Sequence, residues 1–206
     1  GNCEESLGTK AADCGCGFDD GTTCSLLSMD WYRYANERIS EADRVWMKSL
    51  PHHIRLTVNG KSILIVHGGV ERINRFVFPS TAESVKQTEL DLAGTDTLVG
   101  GHSGIPGGQM IKEKAWMNAG AIGLPANDGT PDGWYLVLRP AGERLVCRCQ
   151  RLRYPVEQTV RKMQSAGMVN GYAGTLHTGL WPSMDVLPDA ERSLQGRPIE
   201  LKELFC

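Results

Sequence analysis

Two histidines stand where side chains could share a ligand or a metal ion. His67 closes the apolar run Ile63-Leu64-Ile65-Val66 and precedes Gly68 and Gly69, while His102 follows Thr97-Leu98-Val99-Gly100-Gly101 and precedes Ser103 and Gly104. In open α/β sheets ligand groups gather at the carboxyl ends of strands, and glycine there lets the backbone approach a bound group. One such histidine would read as structural; a pair at equivalent strand ends points to shared ligation through neutral imidazoles. The remaining histidines carry less. His52-His53 follow Pro51 as a solvated turn, and His177 lies in a Gly-rich stretch without a partner.

The seven cysteines cannot all pair within one chain. Cys14-Gly15-Cys16, with Cys24 and Cys3 on either side, gives half of a structural zinc pattern, so free buried thiols are the plainer expectation. Cys147 and Cys149 alternate in a strand, which puts both on one face as small apolar groups.

The elements that must position these residues follow from local signals. Leu27, Trp31, Tyr34 and Ala35 repeat at helical spacing within 25–38, and Ser40 with Asp43 opens a second helix running to Pro51, so two helices precede the first strand. Asn59-Gly60 between 54–58 and 62–66 predicts a β-hairpin with a type I′ turn. The continuously apolar second strand is the kind covered on both faces. Ser80 and Glu83 stand in capping-box register for a helix over 81–92, followed by a strand at 97–100. Short strands at 115–118, 134–138 and 145–150, separated by Gly, Pro and Asp, suggest an antiparallel meander. A helix after Pro155 stops at Gly167, and the Pro-rich tail beyond 180 reads as extended.

At 206 residues, 41% of them hydrophobic, the chain can bury one sizeable core. A net charge of -2 offers no basic field for nucleic acid or anionic lipid, which leaves a small molecule as the natural partner and a local phosphate pocket still open. Neither a bilayer-length apolar run nor a basic-then-apolar leader pattern occurs, so the expected location is cytoplasmic.

Gly1-Asn2-Cys3-Glu4, Val66-His67-Gly68 and Gly101-His102-Ser103-Gly104 come in an order that resembles the signature of the calcineurin-like metallophosphoesterases, Gly-Asn-His/Cys-Asp/Glu, Val-His-Gly and Gly-His-x-His/Gly. Asn118-Ala119-Gly120-Ala121 looks like that family's Asn-Pro-Gly-Ser turn, and cysteine after the asparagine is similar to a bacterial and archaeal branch of small phosphodiesterases. The resemblance covers residues 1 to about 150. It implies an α/β fold, a two-sheet sandwich flanked by helices, with 1–153 as the C-terminal portion of the phosphoesterase domain and 154–206 as a C-terminal helix and extended strap.

It further implies two divalent ions and hydrolysis of a phosphodiester, phosphomonoester or nucleotide by a water activated between them. Asn2, His67 and His102 match ligands of one ion, a neutral N/O set suited to Mn, Fe, Zn or Ni. Cys3 takes the position of the family's general acid, where a thiol is a poorer acid at neutral pH. Gly104 stands where a second histidine would bind the other ion, and the Asp-x-His and Gly-Asp-x-x-Asp motifs that complete that site do not occur. The expectation is therefore a chain lacking the first strand-helix units of its fold, part of a longer gene product. Two other readings remain: a degenerate relative that binds a phosphorylated ligand without turnover, and a zinc module built on Cys3, Cys14, Cys16 and Cys24. In the tail, Leu180-Trp181-Pro182 either straps onto its own domain or forms a lid or an oligomer contact.

Overall fold

The computed structural model describes residues 1–168 and 171–206. Three helices, not two, precede the first strand: α1 (Asn2–Thr9), α2 (Thr23–Asn36) and α3 (Glu41–Lys48). The first was missed because Leu7 is its single large aliphatic residue, although Glu4 and Glu5 in the first turn suit the positive end of a helix. The start of α3 is the expected capping box, with the Ser40 side chain accepting from Asp43 N and the Asp43 carboxylate accepting from Ser40 N.

The hairpin follows as β1 (Ile54–Val58) and β2 (Lys61–Ile65). Its turn has φ of 53° at Asn59 and 76° at Gly60, the positive pair a type I′ turn demands. Next come α4 (Glu83–Ala93), β3 (Thr97–Gly100), β4 (Gly107–Ile111) and β5 (Lys114–Asn118). They complete a five-stranded mixed sheet in the order β1-β2-β3-β5-β4, with β2, β3 and β5 parallel. Strand β5 therefore does not open an antiparallel meander; its β3 neighbour runs the same way and β4, rich in glycine, supplies the antiparallel edge. The antiparallel hairpin β6 (Gly133–Ala141) and β7 (Arg144–Leu152) belongs to a second sheet of three strands, completed by β8 (Leu204–Phe205) from the tail. The helices α5 (Val156–Ser165), α6 (Gly171–Thr178) and α7 (Asp189–Arg192) lie between β7 and β8 in sequence.

Alternation along the central strands builds both cores. Leu64, Leu98 and Trp116 turn toward α4, where they meet Leu90 and Ala93, while Ile63, Val99, Ala115 and Met117 turn toward the second sheet and meet Leu145 and Cys147. This two-sided burial explains the unbroken apolar run before His67, each fully buried aliphatic residue contributing roughly 1.5–3 kcal/mol. Cys147 and Cys149 both face this inter-sheet layer.

Helix α4 starts differently from the sequence reading. Ala82 occupies its N-cap without a side-chain bond, and the Glu83 carboxylate accepts instead from Gln109 Nε2 at 2.8 Å. Ser80 belongs to another contact: its N–H and hydroxyl both donate to buried Glu191 of α7. The tail is a strap on its own domain, with Trp181, Leu187 and Ile199 packed against Phe78 and Ile105. No helix among the described residues is long and apolar enough to cross a membrane.

Candidate metal centre

Both histidines lie in the loops that leave the parallel strands β2 and β3, and each loop is pinned from behind. After His67 the chain doubles back so tightly that a Cβ on Gly68 would sit 2.6 Å from Ile73 O, which only glycine permits. Fully buried Glu89 of α4 fixes this return by accepting from Val70 N and from Arg75 Nη1 at 2.7 Å. The loop of His102 is held by Asn118, whose Nδ2 donates to Gly101 O at 2.9 Å and Ser103 Oγ at 2.8 Å. Gly101 N donates in turn to His67 O at 2.7 Å, so the two loops are bonded to each other. His102 itself has φ of 59°, an uncommon backbone for a residue other than glycine, held here by those contacts.

The result is that His67 Nε2 and His102 Nδ1 lie 3.1 Å apart. His102 Nε2 is 3.1 Å from Cys16 O, and its ring rests against Phe76 with centroids 4.3 Å apart. Donation from Nε2–H to that carbonyl fixes the tautomer and leaves the Nδ1 lone pair facing His67, the arrangement in which a ligating histidine is held by its other nitrogen. Burial, with the positive Gly1 amino group assisting, lowers the His67 pKa; burial and His67 together push His102 down to about 4. Both rings are therefore neutral at pH 7 and free to act as ligands.

Asn2, first residue of α1, is 3% exposed. Its Nδ2 donates to Cys14 O at 2.9 Å and lies 3.3 Å from Cys16 Sγ, so Asn2 and His102 are anchored on the same short segment. Its Oδ1 is buried and has no hydrogen-bond partner. Such an acceptor is costly unless something electropositive meets it. A divalent ion fits the histidine pair: 3.1 Å between the nitrogens is close to the about 3.0 Å between adjacent ligands of a six-coordinate ion with bonds near 2.1 Å. The Glu4 carboxylate nearby pairs with the Gly1 amino group at 2.8 Å, and its charge partly offsets the lowering of the His67 pKa.

Cys3 is half-buried with its Sγ 3.5 Å from Asn2 Nδ2, and burial, with Glu4 nearby, raises its thiol to about 11. It stays protonated at neutral pH and is no nucleophile. Cys14 and Cys16 are joined in a disulfide, contrary to the expectation of free thiols, because the turn at Gly15 brings them side by side. Cys24 sits elsewhere, buried beside Ser183 and Asp185 of the strap. No three His, Cys, Asp or Glu side chains among the described residues converge as metal ligands, so the cysteines do not assemble a zinc module.

Gly104 has φ of 72°, and a Cβ there would meet Trp181 Cζ2 at 3.1 Å. The strap fills the place a second histidine would need. Trp181 is fixed there by Nε1 donating to Pro125 O at 2.6 Å and N donating to Asn127 Oδ1 at 2.8 Å. His52, His53 and His177 lie outside this cluster; His177 Nδ1 approaches Glu157 at 3.1 Å instead. Sequence reasoning missed Phe76, Cys16 and Trp181 as neighbours of the site, and nothing in their local pattern marks them.

With strand order, loop positions and ligand geometry in hand, the fold can be compared with solved structures. A metallophosphoesterase from Sphaerobacter thermophilus superposes with a TM-score of 0.63 at 17% identity, covering 87% of this chain and 75% of its own. This chain has the calcineurin-like metallophosphoesterase fold. A hypothetical protein from Pyrococcus horikoshii OT3, PH1004, gives a TM-score of 0.66 at 12% identity, covering 86% of this chain and 71% of its own. No family model matches the sequence, and comparison with characterised proteins finds no match. The likeness is one of fold, so the chemistry rests on the residues themselves.

Proposed function

We propose that this chain carries the metal centre of a metal-dependent phosphoester hydrolase, in which Asn2, His67 and His102 hold a divalent ion such as Mn, Fe, Zn or Ni. The observation that supports it most is the orphaned Asn2 Oδ1 on the same anchor, Cys16, as one of two neutral imidazoles 3.1 Å apart. A bound ion supplies Lewis-acid polarisation of a phosphoryl oxygen. The chain's own part is positional: Cys16 O and Phe76 orient His102, and the Asn118 and Glu89 contacts keep both loops rigid. The Cys3 thiol can donate a hydrogen bond to a phosphate oxygen but does not transfer its proton readily, which implies slow turnover.

A second reading, a phosphate-ligand binder without turnover, is favoured by Trp181 occupying the space beside Gly104. The two readings separate in one assay. With Mn(II) and bis(4-nitrophenyl) phosphate, the hydrolase reading expects turnover that falls at least about tenfold in Asn2→Ala and His102→Ala. Stabilisation by phosphate ligands without any turnover would select the binder instead.

A further inference from the structure

A cavity of about 550 Å³ opens between α1, α2, α5 and α6, within the size range of small-molecule sites. Trp31, Leu124, Met163 and Leu176 make its walls, and no charged side chain among the described residues lines it. Its inner wall adjoins the candidate metal centre. Cys3 and Cys16 both face the cavity, and these two sulfurs lie 3.5 and 3.3 Å from Asn2 Nδ2. Phe18, Leu124 and Tyr172 also border a small space of about 70 Å³ that reaches His102. The apolar cavity and the candidate ligands therefore share side chains rather than lying on separate faces.

Resting on the hydrolase reading, we propose that this cavity binds the alcohol half of the substrate, and that this half is an uncharged aryl group. The phosphate end of an ester seated at Asn2, His67 and His102 has the cavity as its apolar neighbour. A nucleotide carrying further phosphates would need cationic partners there, and the described residues of the lining provide none. Flat aromatic walls at Phe18 and Trp31 suit a planar ring, and the flexible thioether of Met163 adapts to its outline.

The test is calorimetric titration, in Mn(II), of (2-naphthyl)methylphosphonate and of methylphosphonate, which differ only in the apolar group. Wild-type protein is expected to bind the naphthyl compound at least about tenfold more tightly, as burial of one aromatic group allows. Ser28→Phe from α2 and Met163→Trp from α5 each fill the cavity from a different helix. Both should reduce the advantage to below about threefold while leaving methylphosphonate binding unchanged, which also certifies the fold. Equal affinity of the two ligands for wild type, or an advantage that survives both fillings, overturns the proposal. Failure of the hydrolase reading looks different: His102→Ala leaves both phosphonate affinities unchanged, while 2-naphthylmethanol binds wild type as tightly as the naphthyl phosphonate does. In that case the cavity is an apolar site unconnected to phosphate, and its assignment to an ester substrate is overturned with it.

Discussion

Restoring a histidine at position 104 should damage this protein, because Trp181 of the strap already holds the space. Gly104→His carries two separable costs. The backbone at φ 72° disfavours any side chain by roughly 1–2 kcal/mol. A Cβ lies 3.1 Å from Trp181 Cζ2 and 3.4 Å from Cη2, and the ring beyond it must displace the indole, an overpacking cost of about 1–3 kcal/mol. Together these amount to about 2–5 kcal/mol, or a melting midpoint lower by roughly 4–20 °C in a chain of this size. The parts separate in a double-mutant cycle with Trp181→Ala, read by urea unfolding. Removing the indole abolishes the overpacking cost but not the backbone cost, so the double variant should be less destabilised than the sum of the singles by about 1–3 kcal/mol. Additivity within about 0.5 kcal/mol would refute the claim that Trp181 and position 104 compete for one space.

Asp128, buried beneath the strap, should anchor it through charge. Burial raises its pKa, but bonds from Thr130, Ile199 N and Arg151 outweigh that and hold the carboxyl below its ordinary value of 3.8. Asp128→Asn is expected to cost about 1–3 kcal/mol by removing the shorter of the two carboxylates paired with Arg151, Asp132 remaining at 3.5 Å. The wild-type advantage should be constant above about pH 5 and shrink as the pH falls through 3.8 toward the lower pKa of the folded state, since a depressed carboxyl loses its contribution on protonation; an advantage that grows in acid would contradict it. Glu191→Ala, which strips both acceptors from Ser80 N and Oγ, should lower stability by about 1–3 kcal/mol without altering Mn(II) affinity. Equal unfolding free energies of variant and wild type would show that the strap is held elsewhere.

What the sequence made legible was local. The Ser40–Asp43 box, the Asn59-Gly60 turn and the strand at Thr97–Gly100 all stand where neighbouring residues dictate them. Long-range contacts were not legible. Ser80 read as a helix cap, yet its partner is Glu191, 111 residues away, and Gln109 takes the Glu83 carboxylate meant to complete the box. Strand β4 was hidden by Gly107 and Gly108, poor strand formers that are needed here because a Cβ on Gly108 would strike Met117 Sδ at 2.7 Å. At the site, both histidines were marked by the apolar strands before them, whereas Trp181 and Cys16 reach it from 79 and 86 residues away from His102 and carry no local mark. The absence of a histidine at 104 was visible in the sequence; its physical reason, an indole in that space, was not.

The central claim is that Asn2, His67 and His102 form one metal site, and calorimetric titration with Mn(II) tests it most directly. The account predicts binding by the wild-type protein that weakens at least about tenfold in each of Asn2→Ala, His67→Ala and His102→Ala, with the fold retained by circular dichroism. Binding that is indifferent to all three substitutions would contradict it and leave His67 and His102 as a hydrogen-bonded structural pair.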